Sequence, residues 1–544
     1  MSAIENANYI FIFAVHTAKQ YEILVMSLNK LLLSITAVLM LTVTASAQND
    51  DIILIKKYAE NAFKKGDYEY ALQNYLELYK YDKDNLDLNY RIGVCYTETN
   101  VDKEKSVPFL EYVVSFNNYP IRTKFFLGKA YMYNYRFTEA IDAFYDYKMV
   151  GVDENDLFES DRMIKMCDYT KELMNNPINV TFTRLDTTIN SEFDDMCPVV
   201  TPDNNLLYFS SNRHYIKEYE AYIYSGQYSE RKKGFWQPAV QIPISSYDDE
   251  NVVGCSPDGN KMLVYANGDY ATHDIKMYTR KGAKFTKAPA TDLPSDMNTD
   301  DIEMGACLTA DGNTIYFASN RPGGRGGLDL YVSHRGPDGK WGPSENMGTT
   351  INTEYDENYP ALSPDGKTLY FASKGHDSMG GYDIFRASFN EDAGSWFMPM
   401  NMGFPLNTPL DDTKLSFTAD GSAYIAAKRK EGVGNLDIYQ VNFISDDVAQ
   451  PSFYRGVVFV GENEDTALPH NERMPKAYAW VYDEYGNIIR QINVDEGEFF
   501  AQLFAGDYTV EVKFEGQQSG YKEKLHIAGS DEYIAREIYL KPIK

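Results

Sequence analysis

Four groupings of side chains in this chain could do chemistry. Gly254-Cys255-Ser256-Pro257-Asp258 is the nearest approach to the Gly-x-Ser-x-Gly elbow that exposes a nucleophilic serine, but the second glycine is missing. The string also returns later as Ser363-Pro364-Asp365-Gly366, which makes it a repeat element. Seven histidines are scattered without His-Glu-x-x-His, and Cys95, Cys167, Cys197, Cys255 and Cys307 form no Cys-x-x-Cys, so neither set has metal-ligand spacing. Widely spaced cysteines of this kind read as small buried apolar residues. Arg321-Pro322-Gly323-Gly324-Arg325-Gly326-Gly327 has the glycines of an anion cradle but opens no helix, and Lys374-Gly375-His376 with Gly380-Gly381 takes the same place one repeat later. Acidic clusters recur at one repeat position: Asp194-Asp195, Asp248-Asp249-Glu250, Asp300-Asp301, Asp356-Glu357 and Asp411-Asp412. They could ring one mouth of a closed structure and hold a cation or a basic partner. Repetition in every copy favours the other use, as braces that accept bonds from backbone amides. No catalytic, cofactor-binding or metal residue is assigned, and the chain is expected not to be an enzyme.

The element that positions these groups is a repeat over 178–445. Its centre is a turn followed by an aromatic strand: Thr201-Pro202-Asp203-Asn204, Ser256-Pro257-Asp258-Gly259, Thr309-Ala310-Asp311-Gly312, Ser363-Pro364-Asp365-Gly366 and Thr418-Ala419-Asp420-Gly421. The aspartates stand 55, 53, 54 and 55 residues apart. Asp-Gly between strands marks a tight hairpin, because the turn needs a positive φ. Tandem units of about fifty residues with four short strands each read as propeller blades. The segment 185–195 matches 347–357, which joins one blade to the next; at the head of the domain it has no blade before it, so it is expected to complete the last one and close the ring. Five copies give five blades, or six with one degenerate. This repeat resembles the WD40-like, TolB-type propeller family.

Over 48–176 the apolar period is helical. Ala62, Phe63, Gly66, Asp67, Tyr68, Ala71, Tyr75 and Leu78 give two faces around a turn, with Asp67 placed to cap the second helix. Phe137, Ala140 and Phe144 repeat Tyr68, Ala71 and Tyr75 at a distance of 69, and Gly93 and Tyr96 precede Gly128 and Tyr131 by 35. A period near 34 with small residues at helix crossings resembles tetratricopeptide repeats. The segment 157–174 is expected to close the stack. From 451 to 544 short strands alternate with turn glycines, and Gly497-Glu498-Phe499 with Gly506-Asp507-Tyr508-Thr509-Val510 resembles carboxypeptidase regulatory-like β-sandwiches. The expected fold is therefore α plus all-β: helical repeats, a propeller, then a small sandwich.

The N-terminus reads as an export signal placed late. Met26 to Lys30 gives a short positive region, Leu31 to Val43 an apolar core too short to span a bilayer, and Ala45-Ser46-Ala47 a cleavage site before Gln48. Residues 1–25 have no place ahead of a signal peptide at 26–47, so translation is expected to start at Met26. No apolar run of spanning length follows Gln48, which implies a mature protein without a transmembrane segment, beyond the inner membrane. The net charge of −27 excludes the basic patch that nucleic acid requires.

This module order resembles Gram-negative envelope proteins, including a subunit of type IX secretion machinery, that continue into an OmpA-like domain. No OmpA-like motif is present, so peptidoglycan binding is not carried over. The resemblance implies a periplasmic, outer-membrane-associated scaffold that binds envelope proteins, in particular outer-membrane secretion or gliding components. The alternative is a propeller whose central funnel binds a glycan or peptide. No cofactor is implied.

Overall fold

The computed structural model describes residues 52–541 apart from 101, 218–220, 245–248, 268–272, 392–393, 445–451, 462–466, 472–473, 495–496 and 529–532. The expected leader, with Ala47 and Gln48 at its cleavage site, lies outside these residues, as do positions 1–25 and Asp248. No helix among the described residues is long and apolar enough to cross a membrane. The protein is helical first and all-β afterwards, and it divides into two compact units after Ile164.

The first unit is a succession of short helices: 52–65, Tyr68–Tyr79, Leu86–Glu98, Ser106–Val114, Thr123–Tyr133, Phe137–Val150 and the start of Glu154–Asn175. Gly66 makes the first turn at φ +78°, and the Asp67 carboxylate accepts from the Tyr70 amide at 3.2 Å, satisfying one donor that a helix start leaves open. Small residues set the helix crossings. A Cβ on Gly93 would sit 2.6 Å from Leu110, and one on Gly128 would sit 2.6 Å from the Phe144 ring. Ala71, Leu72, Tyr75, Ile92 and Cys95 fill the first interior.

In the second unit, five antiparallel sheets follow one another between 180 and 443. Their inner strands are Asp195–Val200, Asp249–Cys255, Glu303–Leu308, Glu357–Leu362 and Leu415–Phe417. The second strands are Leu206–Ile216, Lys261–Asn267, Thr314–Ser319, Thr368–Ser373 and Ala423–Ala427, each paired onward to a third. Four inner strands carry a register shift, as between Asn358 and Ala361, where Tyr359 takes φ +52°. Such bulges bend the strand and raise its twist.

The ring is closed by Val180–Arg184, which pairs antiparallel with Asp437–Phe443 of the last sheet, Val180 opposite Phe443. The segment after it docks on the same strand. Asn190 donates to the Leu185 and Ile438 carbonyls at 2.9 and 3.0 Å and accepts from the Ile438 amide at 2.8 Å. Asn352 and Asn407 bind Leu330 and Ile384 in the same way, so a blade-joining device also serves as the clasp. Aromatic and aliphatic side chains pack between neighbouring sheets, as with Leu263, Met277, Ala306, Ile315 and Phe317. Burying such side chains contributes about 1.5–3 kcal/mol each.

The C-terminal part has two four-stranded sheets, one built on Ser452–Val460 and one on Ala477–Tyr482. Ser452–Val460 pairs in parallel with the last strand, Tyr533–Leu540. Their facing sides alternate in burial and enclose Tyr454, Val458, Ala479, Val481, Phe499, Val510 and Ile538. The second half of helix Glu154–Asn175 belongs with this unit. Tyr169 and Leu173 pack with Met379 of the fourth blade and Phe504 of the sandwich. Arg490 lies over the Tyr169 ring at 4.6 Å and reaches Glu172 at 3.1 Å and Asp377 at 3.5 Å.

Candidate functional site

The five turn aspartates all do the same work. Asp203, Asp258, Asp311, Asp365 and Asp420 each accept a hydroxyl from the Ser or Thr two residues earlier, at 2.5–2.6 Å, and the amide two residues later, at 3.0–3.1 Å. The hydroxyl donors hold these carboxyls below the ordinary range. The next residue, Asn204, Gly259, Gly312, Gly366 or Gly421, takes a φ between +57° and +85°. The turns are spread one per blade and do not converge on a shared site.

At the other end of the inner strands acidic residues serve as braces, though in the third blade the brace is Glu303 and not the expected Asp300-Asp301. Glu303 accepts from Thr299 N at 2.9 Å and Ser319 Oγ at 2.8 Å, and Glu357 from Thr353 N at 2.8 Å and Ser373 Oγ at 2.6 Å. Asp356 takes the Leu328 amide of the preceding blade and Asp411 that of Tyr382, both at 2.9 Å. The glycine-rich loop likewise closes on its own blade, since Asp329 accepts the amides of Arg325 and Gly326. No cluster of His, Cys, Asp and Glu with metal-binding geometry occurs among the described residues. Cys95, Cys167, Cys197, Cys255 and Cys307 are all free thiols.

The axis is bridged. Lys414, 3% exposed, extends from the fifth blade and donates to the carbonyls of Val253 in the second (2.9 Å) and Pro360 in the fourth (2.8 Å). Burial pushes its ammonium below the usual lysine range, and burial raises the thiols of its neighbours Cys197, Cys255 and Cys307 to about 12. Lys414 thus ties the second, fourth and fifth blades together.

The braces differ between blades, and the second blade has no arginine near its own. In the first and third, an arginine near the end of the second strand meets the buried acid: Arg213, within the strand, pairs with Asp195, and Arg321, just beyond it, with Glu303 at 3.3 Å. The same arginines donate to the carbonyls of Ile189 and Met297. In the fourth blade His376 takes the place, its Nε2 bonded to the Ile351 carbonyl at 3.0 Å and its ring 5.2 Å from Phe385. Burial lowers the His376 pKa, so the ring is neutral, with Nδ1 left as an acceptor. Glu357 therefore has no cation beside it, and burial pushes its carboxyl up to about 7, against the pull of the Ser373 and Thr353 donors.

In front of His376 lies a cleft of about 520 Å³ between the fourth blade and the sandwich. Thr349, Thr350, Asn352 and Thr353 form one side, with Arg325, Asp377 and Asn401 from neighbouring loops. The sandwich supplies Phe453, Phe500, Asn493 and the ion pair of Arg455 with Glu498, its Nε 3.0 Å from the carboxylate. Phe453 and Phe500 pack at 5.4 Å, and Phe453 stacks on Tyr533 at 5.8 Å. Arg325 is exposed and has no carboxylate partner among the described residues. Aromatic carbon, amides, hydroxyls and charges thus meet in one concave space, of the size that small ligands occupy. The signal in the sequence was Gly375-His376 standing where the third blade has Arg321-Pro322; the sandwich wall, which begins at Phe453, gave none.

No family model and no curated protein matches this sequence. Solved structures that it matches include a glycosyl hydrolase from Bacteroides ovatus, at 10% identity and TM-score 0.31, covering 49% of this protein and 95% of that one. Others are an α-L-arabinofuranosidase from Lactobacillus brevis (12%, TM-score 0.31, 48% and 92%) and an α-L-arabinanase from Penicillium chrysogenum complexed with arabinobiose (9%, TM-score 0.29, 46% and 81%). At these scores none of them carries an argument about function. The expectation that the protein is not an enzyme is withdrawn, with glycosidases among the solved structures matched and no activity assigned from them. That expectation rested on absent serine-nucleophile and metal motifs, and glycoside hydrolysis needs neither, only two suitably placed carboxyl groups.

Proposed function

We propose that this is an exported envelope protein that binds a glycan in the cleft between its fourth blade and its sandwich. The observation that carries the reading is local: a neutral His376 makes the carbonyl contact that arginines make in the first, third and fifth blades, and a cleft with an aromatic wall opens in front of it. Sugar hydroxyls are donors and acceptors at once, which suits a surface that mixes the Nδ1 acceptor of His376 with the Arg325 and Asn493 donors. Sugar rings also present apolar faces that rest against rings such as Phe500. The scaffold role implied by domain order draws no support from this geometry. Thermal denaturation with a panel of envelope oligosaccharides and, separately, peptides tests the reading. An oligosaccharide present at 100 times its Kd should stabilise the protein by about 2.7 kcal/mol. A shift with peptides alone would contradict it.

A further inference from the structure

A second cavity, of about 450 Å³, lies at the opposite ends of the inner strands, between the second and third blades. Its origin can be read from the repeat. Two residues beyond the residue whose carbonyl closes each turn stand Tyr208, Leu263, Tyr316, Tyr370 and Tyr424. Four of the five are tyrosines, and each reaches the following blade. Tyr208 Oη donates to the Gly259 carbonyl at 2.8 Å, and its ring meets Phe285 at 6.4 Å. Tyr424 Oη donates to Asn204 at 2.9 Å, and its ring meets Trp236 at 6.2 Å. Tyr316 meets Trp396 edge-on at 6.2 Å, and Tyr370 packs on Phe417 at 4.4 Å.

Only the second blade breaks the series. Leu263, opposite Met277 in the ladder, has no ring to send towards Trp341, which bridges Arg335 in the third blade. The cavity lies there, lined by Met277, Leu308, the Thr309–Asn313 turn and Trp341. Arg335 stands in its wall with its guanidinium 4.6 Å over the Trp341 ring, and Nη2 donates to the Asp292 carbonyl at 3.2 Å. Three carboxylates, Asp258, Asp292 and Asp311, stand around the opening against two cations, Lys261 and Arg335.

We infer that this cavity is a receptor slot for a tyrosine side chain of a basic peptide segment. The ring takes the place that a blade's own tyrosine fills elsewhere, against Trp341 and Met277. The phenol reaches the turn of the third blade, as Tyr208 reaches that of the second. The excess of carboxylates selects lysine or arginine beside the tyrosine. This slot is separate from the glycan cleft, so either assignment stands without the other.

The test is calorimetry on the full-length protein with two capped tripeptides, Lys-Tyr-Lys and Lys-Ala-Lys. The tyrosine peptide should bind saturably and at least tenfold more tightly than the alanine peptide. Leu263→Tyr, which supplies the missing ring from within, should weaken that binding at least tenfold without lowering the Tm. Trp341→Leu gives a second reading should the first variant misfold, and His376→Arg should leave peptide binding unchanged. Equal affinity for the two peptides, no binding of either, or undiminished binding by both slot variants would overturn the assignment.

Discussion

Replacing Glu357 with glutamine should change the sign of its effect with pH. The carboxyl is fully buried, and that burial, with no cation beside it, holds it at about 7. Relative to an ordinary glutamate near 4.5, ionising it in the folded protein costs about 3 kcal/mol, at 1.36 kcal/mol per pH unit. The folded state keeps a proton that the unfolded state sheds between about 4.5 and 7. The stability this group contributes is therefore present below 4.5 and lost as pH rises through 7. Glu357→Gln removes the ionisation but weakens the acceptance from Thr353 and Ser373, at about 1 kcal/mol for each hydrogen bond impaired. The variant should be about 2 kcal/mol less stable than the parent at pH 4.5 and about 1 kcal/mol more stable at pH 8. Denaturant unfolding at the two pH values reads both. Glu303→Gln is the control: Glu303 has Arg321 beside it, so this change should destabilise at both pH values by about 3 kcal/mol. If the Glu357→Gln and parent curves run parallel from pH 4.5 to 8, the reasoning about the missing arginine is wrong.

Other outcomes follow from the same geometry. His376→Arg should flatten the pH dependence of stability by giving Glu357 a cation, and should abolish glycan binding, read by the thermal shift. Asn190→Ala removes three hydrogen bonds from the clasp and should cost about 3 kcal/mol in denaturant unfolding, whereas a loss under 1 kcal/mol would mean that Val180–Arg184 closes the ring alone. Arg490→Ala removes the contacts to Glu172, Asp377 and Tyr169, and calorimetry should then resolve a separate, lower transition for the sandwich.

Local signals in the sequence located what local physics decides. Asp67 sits at a helix start, and the five spaced turns mark five sheets, because capping and positive-φ turns are settled within a few residues. The closing segment was legible through its likeness to 347–357, but the strand that pairs is Val180–Arg184, just upstream, where polar and apolar residues alternate too briefly to stand out. Helix Glu154–Asn175 carried a subtler signal. Tyr169, Leu173 and Met174 look like the closing face of a helical stack, yet they pack with the β unit. Lys414 crossing the axis could not be read at all, since its acceptors are carbonyls 161 and 54 residues away and backbone carries no side-chain code. The two cavities were legible only as exceptions, Gly375-His376 for Arg321-Pro322 and Leu263 for tyrosine, and an exception shows its meaning once the neighbouring blade is in place.

The central claim is that the fourth-blade cleft binds a glycan, and the most direct measurement is titration calorimetry with the oligosaccharide that gives the largest thermal shift. The account predicts one saturable site on the parent protein, at least tenfold weaker binding by Phe500→Ala and by His376→Arg, and unchanged binding by Leu263→Tyr. Full affinity in both cleft variants would contradict it.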